Sequence, residues 1–204
     1  MYFKANQPIV LASQSPRRNE LLQMLGFDFQ VIPSKKEEPK PGDFENALDY
    51  VVNCAKVKTA DVADNLAEED ALVIGADTVV VCDGEILLKP EDKKQAMDYL
   101  HKLSDRSHEV ITAVNVRAGD DEILFHETTE VTFFDLADNW IEAYTNSDDP
   151  YDKAGAYGIQ TLSALFVKEI KGDYNNVVGL PIAHLARKLA DAGYITLSGS
   201  RVEC

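Results

Sequence analysis

Ser13-Gln14-Ser15-Pro16-Arg17-Arg18 places two arginines in what reads as the first turn of a helix. Ser15 suits the N-cap and Pro16 the first helical position. That end of a helix carries about half a positive charge, so each cation there costs a few tenths of a kcal/mol. A bound anion reverses the sign. Backbone N–H groups, the hydroxyls of Ser13 and Ser15 and the guanidinium forks would then converge on phosphate oxygens. The other reading sends Arg17 and Arg18 to solvent or to acidic loops. On the first reading their removal should relieve the dipole contact in the empty protein.

A second signal is Gly75-Ala76-Asp77-Thr78, inside the apolar run from Leu72 to Val81. A carboxylate there is costly without a partner. It can ligate a metal, serve as a general base toward water, or be held in a structural ion pair. Gly75 permits close backbone approach, which favours function. The third signal is Pro150 to Gln160, a loop with two glycines and Lys153. Gln160 offers donor and acceptor together, as base or sugar recognition requires; an ordinary surface loop would look the same. Glu37, Glu38, Lys56, Lys58 and Lys89 each read, alone, as solvated charges.

Their combination says more. The chain has 20 Lys plus Arg against 35 Asp plus Glu, a formal charge of −15. That excludes a general nucleic-acid or anionic-membrane binder, which needs a cationic surplus. An acidic protein that takes a polyanion must gather its cations locally, and Arg17, Arg18, Lys58, Lys89 and Lys153 supply such a set. Asp77 and Glu38 can hold an ion, and hard oxygen ligands suit Mg²⁺ or Mn²⁺. No zinc spacing and no Gly-x-Ser-x-Gly elbow is present, so water is the expected nucleophile.

The elements that must position these groups follow from periodicity. Ile9–Ala12, Phe27–Ile32, Leu72–Val81, Glu85–Leu88 and Ala164–Ile170 read as strands, and His108–Arg117 with Glu122–Phe134 as a long hairpin about Gly119-Asp120. Helices are expected after Ser15, from Asp43 to about Asn65, from Lys89-Pro90, from Asp138 and from Pro181 to Gly193. Irregular alternation of helices and strands predicts an α/β fold with a mixed sheet. With 204 residues, 45% hydrophobic and 27% charged, one domain with a full core is expected over residues 1–194, and a loose tail over 195–204. The first eight residues lack a basic-then-apolar leader, and no apolar run approaches a membrane span. Three scattered cysteines, Cys54, Cys82 and Cys204, suit reduced thiols, hence a cytoplasmic setting.

Taken in order, Leu11-Ala12-Ser13-Gln14-Ser15-Pro16-Arg17-Arg18, Gly75-Ala76-Asp77-Thr78-Val79-Val80, Lys89-Pro90, Leu103-Ser104, His108-Glu109-Val110, Asp152 to Gln160 and Asn176 to Pro181 resemble the Maf family of nucleoside triphosphate pyrophosphatases. The resemblance implies a two-lobed fold around an extended mixed sheet, with the active site in the cleft. It also implies a homodimer, and hydrolysis between the α- and β-phosphates. The family's functional positions fall on Ser13, Arg17, Arg18, Glu38, Lys58, Asp77, Lys89 and Gln160. Gly75-Ala76-Asp77-Thr78 and Gly158-Ile159-Gln160 are similar to the subgroup acting on dTTP and UTP. Asp105, Asp149, Thr161 and Ser163 depart from the usual pattern: Gly is usual at 105, 161 and 163, and Glu at 149. Two alternatives remain: a nucleotide-binding regulatory protein of cell division, and a pyrophosphatase for aberrant purine nucleotides.

Overall fold

The structure, a computed structural model, describes residues 2–67 and 70–198. In chain order the elements are β1 (Tyr2–Ala5), β2 (Ile9–Leu11), α1 (Pro16–Gln23), β3 (Gln30–Val31), α2 (Ala47–Asn65), β4 (Leu72–Cys82) and β5 (Glu85–Leu87). Then follow α3 (Lys93–Leu103), β6 (Ser107–Ala118), β7 (Asp121–Phe133), α4 (Asp138–Thr145), β8 (Val167–Lys171), α5 (Tyr174–Val178), α6 (Ile182–Asp191) and β9 (Ile195–Ser198). The chain is α/β, with a seven-stranded mixed sheet in the order β3-β2-β4-β6-β7-β8 and β5 paired to β4. β2 runs parallel to β3 and β4, and the remaining pairs are antiparallel.

β4 is the spine of the sheet. Its continuous apolar run reflects cover on both faces, since nearly every residue is buried. Val79 and Val81 lie under α2 with Val51, Ala55 and Ile111. Ile74 and Ala76 face the other way, toward Leu21 and Leu22 of α1 and Leu185 and Leu189 of α6. Val80 belongs to a third cluster with Leu100 of α3 and Phe133. One edge of β4 is only partly paired. β2 covers Leu72–Ile74 and β5 covers Val80–Cys82, so residues 75–79 have no strand beside them on that edge among the described residues. The chain leaves β2 here and turns into α1. An opening beyond the carboxyl end of a parallel strand, where the sheet order changes direction, is where α/β folds bind ligands.

Gly75 sits at the start of that gap. A Cβ on it would lie 2.1 Å from Thr59 Oγ1 and 3.0 Å from the Ala55 carbonyl, so only glycine lets α2 approach β4 this closely. Thr59 Oγ1 donates to the Ala55 carbonyl, at 2.9 Å, and lies 3.2 Å from the Asn115 carbonyl of β6. The helix is thereby held in register with Asp77, two residues along the same face of β4.

Local signals moved several boundaries. Asn46, not Asp43, caps α2, accepting from the Asp49 N–H at 2.9 Å; residues 41–43 are spent in a 3₁₀ turn. α3 starts after Asp92, which accepts from Gln95 N–H at 2.8 Å, so Lys89-Pro90 stays outside the helix. The strand expected over Phe27–Ile32 shrinks to the two residues of β3, and the one over Ala164–Ile170 begins only at Val167, after a 3₁₀ turn. The loose tail over 195–204 is corrected for its first part: β9 pairs antiparallel with β1, an N-terminal strand too short to read from its pattern. Residues 199–204, and with them Cys204, lie outside the described residues. Among those described, no helix is long and apolar enough to cross a membrane.

Gly75→Ala should therefore cost about 1–3 kcal/mol in denaturant unfolding, the usual range for overpacking. It should also displace Lys58, three residues after Ala55 on α2. An unchanged midpoint would mean that the helix can retreat without strain.

Candidate active site

The gap in β4 opens into two adjoining cavities, of about 300 and about 490 Å³. They share Ser15, Arg17, Arg18, Glu38, Lys58, Lys89 and Asp152 along their seam. The smaller is walled by Val80, Leu88, Tyr157, Ile159, Val177 and Val178, with Gln160 exposed at its mouth. Into the larger project Ser13, Gln14, Lys35 and Lys36. The smaller thus combines an apolar wall with polar and charged groups, and the larger is hydrophilic and cationic.

At the seam, Lys58 joins two carboxylates. Its ammonium lies 2.5 Å from Asp77 Oδ1 and 2.8 Å from Glu38 Oε1. Lys58 and Asp77 side chains are 14% and 12% exposed, so this is a nearly dry pair, while Glu38, at 49%, is half open. Burial alone would lower the Lys58 pKa. The charges of Asp77 and Glu38 outweigh it, against the opposing pull of Arg18, and carry the pKa above the ordinary lysine value. For Glu38 burial pushes upward, but Lys58, then Lys89 and Arg18, pull the carboxyl below its usual range. The loop that delivers Glu38 is tied to α2 by Asp61, which accepts from Ser34 Oγ and Lys35 N–H, each at 2.8 Å.

Arg18 and Arg17 have separate roles. Arg18 donates from Nε to the Gly179 carbonyl at 2.8 Å, from Nη2 to Thr78 Oγ1 at 2.9 Å and from Nη1 to Ser13 Oγ at 3.4 Å. Thr78 in turn meets Thr112 Oγ1 at 2.9 Å, and Thr112 donates to the Asn176 carbonyl at 3.0 Å. Burial lowers the Arg18 pKa and the Asp77 charge opposes it. Arg17 instead forms an ion pair with Asp152 at 3.0 Å, and its Nη2 reaches the Asp152 carbonyl at 3.4 Å. The acidic-loop reading thus holds for Arg17 in the empty protein, while Arg18 is built into the floor.

Sequence reasoning placed Ser13, Ser15, Arg17, Arg18, Glu38, Lys58, Asp77, Lys89 and Gln160 at one site, and all but Ser13 line the smaller cavity; Ser13 lines the larger. Asp77 is an ion-pair partner, yet its Oδ2 accepts no hydrogen bond among the described residues. Lys89 is exposed and has no ion pair there either. Ser15 begins α1, but its hydroxyl does not cap it; Ser13 Oγ accepts the Ser15 N–H at 3.2 Å. Lys153 lines the smaller cavity, and its ammonium is bound by Asp149 and Asp152 at 2.6–3.0 Å. Thr78 and the Gly179 carbonyl went unread. Thr78 carried a usable signal, as a second polar residue in a buried strand. A backbone carbonyl carries none.

The donor set fits a divalent cation completed by substrate. Asp77 and Glu38 share the Lys58 ammonium, and each keeps an oxygen without a protein partner among the described residues. Those residues hold no cluster of three or more His, Cys, Asp or Glu, so no all-protein cage exists. Two carboxylates plus phosphate oxygens and water is how Mg²⁺ is commonly held. Cys54, beside the site, is no rival nucleophile. Burial and the nearby Asp77 charge push its thiol up to about 12.

Comparison with known proteins adds the following. Residues 8–192 match the Maf-like protein family. Proteins named dTTP/UTP pyrophosphatase from Bacillus anthracis and Bacillus cereus are each 46% identical over 181 residues, covering 89% of this chain and 93% of theirs. One of that name from Bacillus thuringiensis subsp. konkukian gives the same figures.

The two arginines should separate by stability. Without nucleotide, Arg18→Ala should lose about 1–3 kcal/mol, because buried acceptors lose their donor. Arg17→Ala should change by less than about 1 kcal/mol, as for a mostly exposed pair. Denaturant unfolding checks this, and the reverse ranking would contradict the assignment. Relief of the helix dipole is therefore expected, at most, for Arg17.

Proposed function

Because this chain belongs to the Maf family, we propose that it hydrolyses nucleoside triphosphates, dTTP and UTP foremost, to the monophosphate and pyrophosphate. The observation that carries this is the Lys58-bridged carboxylate pair at the seam between a cavity with an apolar wall and a cationic one. A nucleoside fits the first and a polyphosphate the second, which sets the α-phosphorus beside Asp77. The names of the relatives support the substrate class.

Arg17 exchanges Asp152 for phosphate oxygens, and Lys89 adds a cation that has no ion-pair partner among the described residues to give up. Both hold the β–γ unit and stabilise the charge it gains on leaving. Arg18, fixed to Thr78 and Gly179, forms the positive floor. Asp77 orients the attacking water or takes its proton. Lys58 keeps the Asp77 and Glu38 carboxylates together against their repulsion. Asp77 and Glu38 would hold Mg²⁺ or Mn²⁺, whose chemistry is to acidify water and shield phosphate charge. Gln160 offers its amide to the uracil or thymine edge. Cys54 and Cys82 are buried free thiols, in keeping with a reduced, cytoplasmic setting. The assembly proposed from the resemblance is a homodimer.

A panel of nucleotides in water labelled with heavy oxygen tests the reading. UTP and dTTP should give label in the monophosphate and unlabelled pyrophosphate, with loss of turnover in chelator and recovery on adding Mg²⁺ or Mn²⁺. Binding without turnover would favour a regulatory protein, and preference for modified purines a different substrate class. Free orthophosphate would rule out attack at the α-phosphorus.

A further inference from the structure

Gln160 has to aim at a base, yet its own amide makes no hydrogen bond among the described residues. Its aim comes from its neighbours. The Gly158 carbonyl accepts from Ser163 Oγ at 2.9 Å and from the Thr161 N–H at 3.3 Å, while the Gly158 N–H lies 3.0 Å from Ser163 Oγ. Ile159 is buried in the core beside it. Behind the loop stands Asp149. Its Oδ2 accepts from Thr161 Oγ1 at 2.6 Å and from Tyr144 Oη at 2.8 Å, and its Oδ1 meets the Lys153 ammonium at 3.0 Å. Ser163 is wholly buried and Lys153 nearly so. Asp149, Thr161 and Ser163 are three of the four positions at which the chain departs from the pattern it otherwise resembles, and here they meet in one cluster.

From this geometry we infer that the Asp149–Thr161 hydrogen bond is a specificity-determining clamp, which holds the Gln160 loop rigid against the bound base; the inference rests on the proposed pyrophosphatase reading. Hydrogen-bond readout rejects a wrong base only if the reading group cannot shift to accommodate it. The Ser163 hydroxyl and the Thr161 N–H on one carbonyl, with the Thr161 hydroxyl itself anchored to the Asp149 carboxylate, remove that freedom. The clamp touches neither phosphates nor Asp77. Thr161 and Asp149 are positioning residues, and their effect belongs on base preference.

The test is kcat and KM for UTP and CTP in the parent, Thr161→Val and Thr161→Ser. T161V keeps the branched shape and removes the hydroxyl; T161S keeps the hydroxyl. T161V should lower the UTP-over-CTP ratio of kcat/KM about tenfold, the scale of one hydrogen bond to a charged group. Its kcat on UTP should stay within about twofold, its inhibition by inorganic pyrophosphate should not change, and T161S should restore the ratio. An unchanged ratio in T161V would overturn the inference, as would an equal loss on both nucleotides. If T161V does not fold, Ser163→Ala carries the same ratio test with a smaller drop expected. A parent inactive on UTP and CTP alike would overturn the pyrophosphatase reading, and this inference with it.

Discussion

The site depends on how closely α2 packs against β4. Everything chemical about Asp77 follows from Lys58 standing beside it, and Lys58 stands there because Gly75 leaves no Cβ between helix and strand. A single methyl at Gly75 would overlap Thr59 Oγ1 at 2.1 Å. Rotating Thr59 would not suffice, because the Ala55 carbonyl and the Thr59 nitrogen of the helix backbone lie at 3.0 and 3.1 Å as well. An isolated carboxylate in the middle of an apolar strand would be prohibitive. Placed 2.5 Å from a mostly buried ammonium, it has a partner and still presents a second oxygen. The cost of burial is thus met by a partner that leaves the second oxygen open.

A second constraint is global charge. At −15 the chain repels polyanions on average, so its affinity for a triphosphate has to be local. The cations are handled in three ways. Arg18 is locked into the floor on neutral acceptors, Lys58 is saturated by two carboxylates, and Arg17 waits on an exposed aspartate. Exposed ion pairs are worth about 0–1 kcal/mol, so exchanging Asp152 for phosphate oxygens costs little. Lys153, equally basic and nearby, is held by Asp149 and Asp152.

Much of this was legible in the residues. The buried acid in β4, the glycine beside it, the paired arginines at the start of α1 and the long β6–β7 hairpin each broke or followed a local rule strongly enough to be read. What stayed hidden depends on contacts far apart in sequence. Arg18 meets the Gly179 carbonyl 161 residues away, and no side-chain pattern announces a backbone acceptor. The fate of Lys153 could not be read either, because one lysine in a glycine-bearing loop suits a phosphate or an aspartate equally. The helix starts at Asn46 and Asp92 were missed because earlier Asp or Pro residues offered competing signals, and only turn geometry decided between them. β9 escaped because its partner, β1, lies at the opposite end of the chain.

The central claim is that Asp77, paired with Lys58, carries the chemistry rather than merely completing an ion pair. Asp77→Asn keeps the side-chain size and leaves Lys58 its contact with Glu38, so the fold can be checked by thermal unfolding alongside activity. The decisive measurement is kcat for UTP hydrolysis in the folded variant. A loss of at least ~10²-fold is predicted, the scale of a lost acid–base or metal contact. A folded variant with near-parental kcat would contradict the account and leave Asp77 a structural residue.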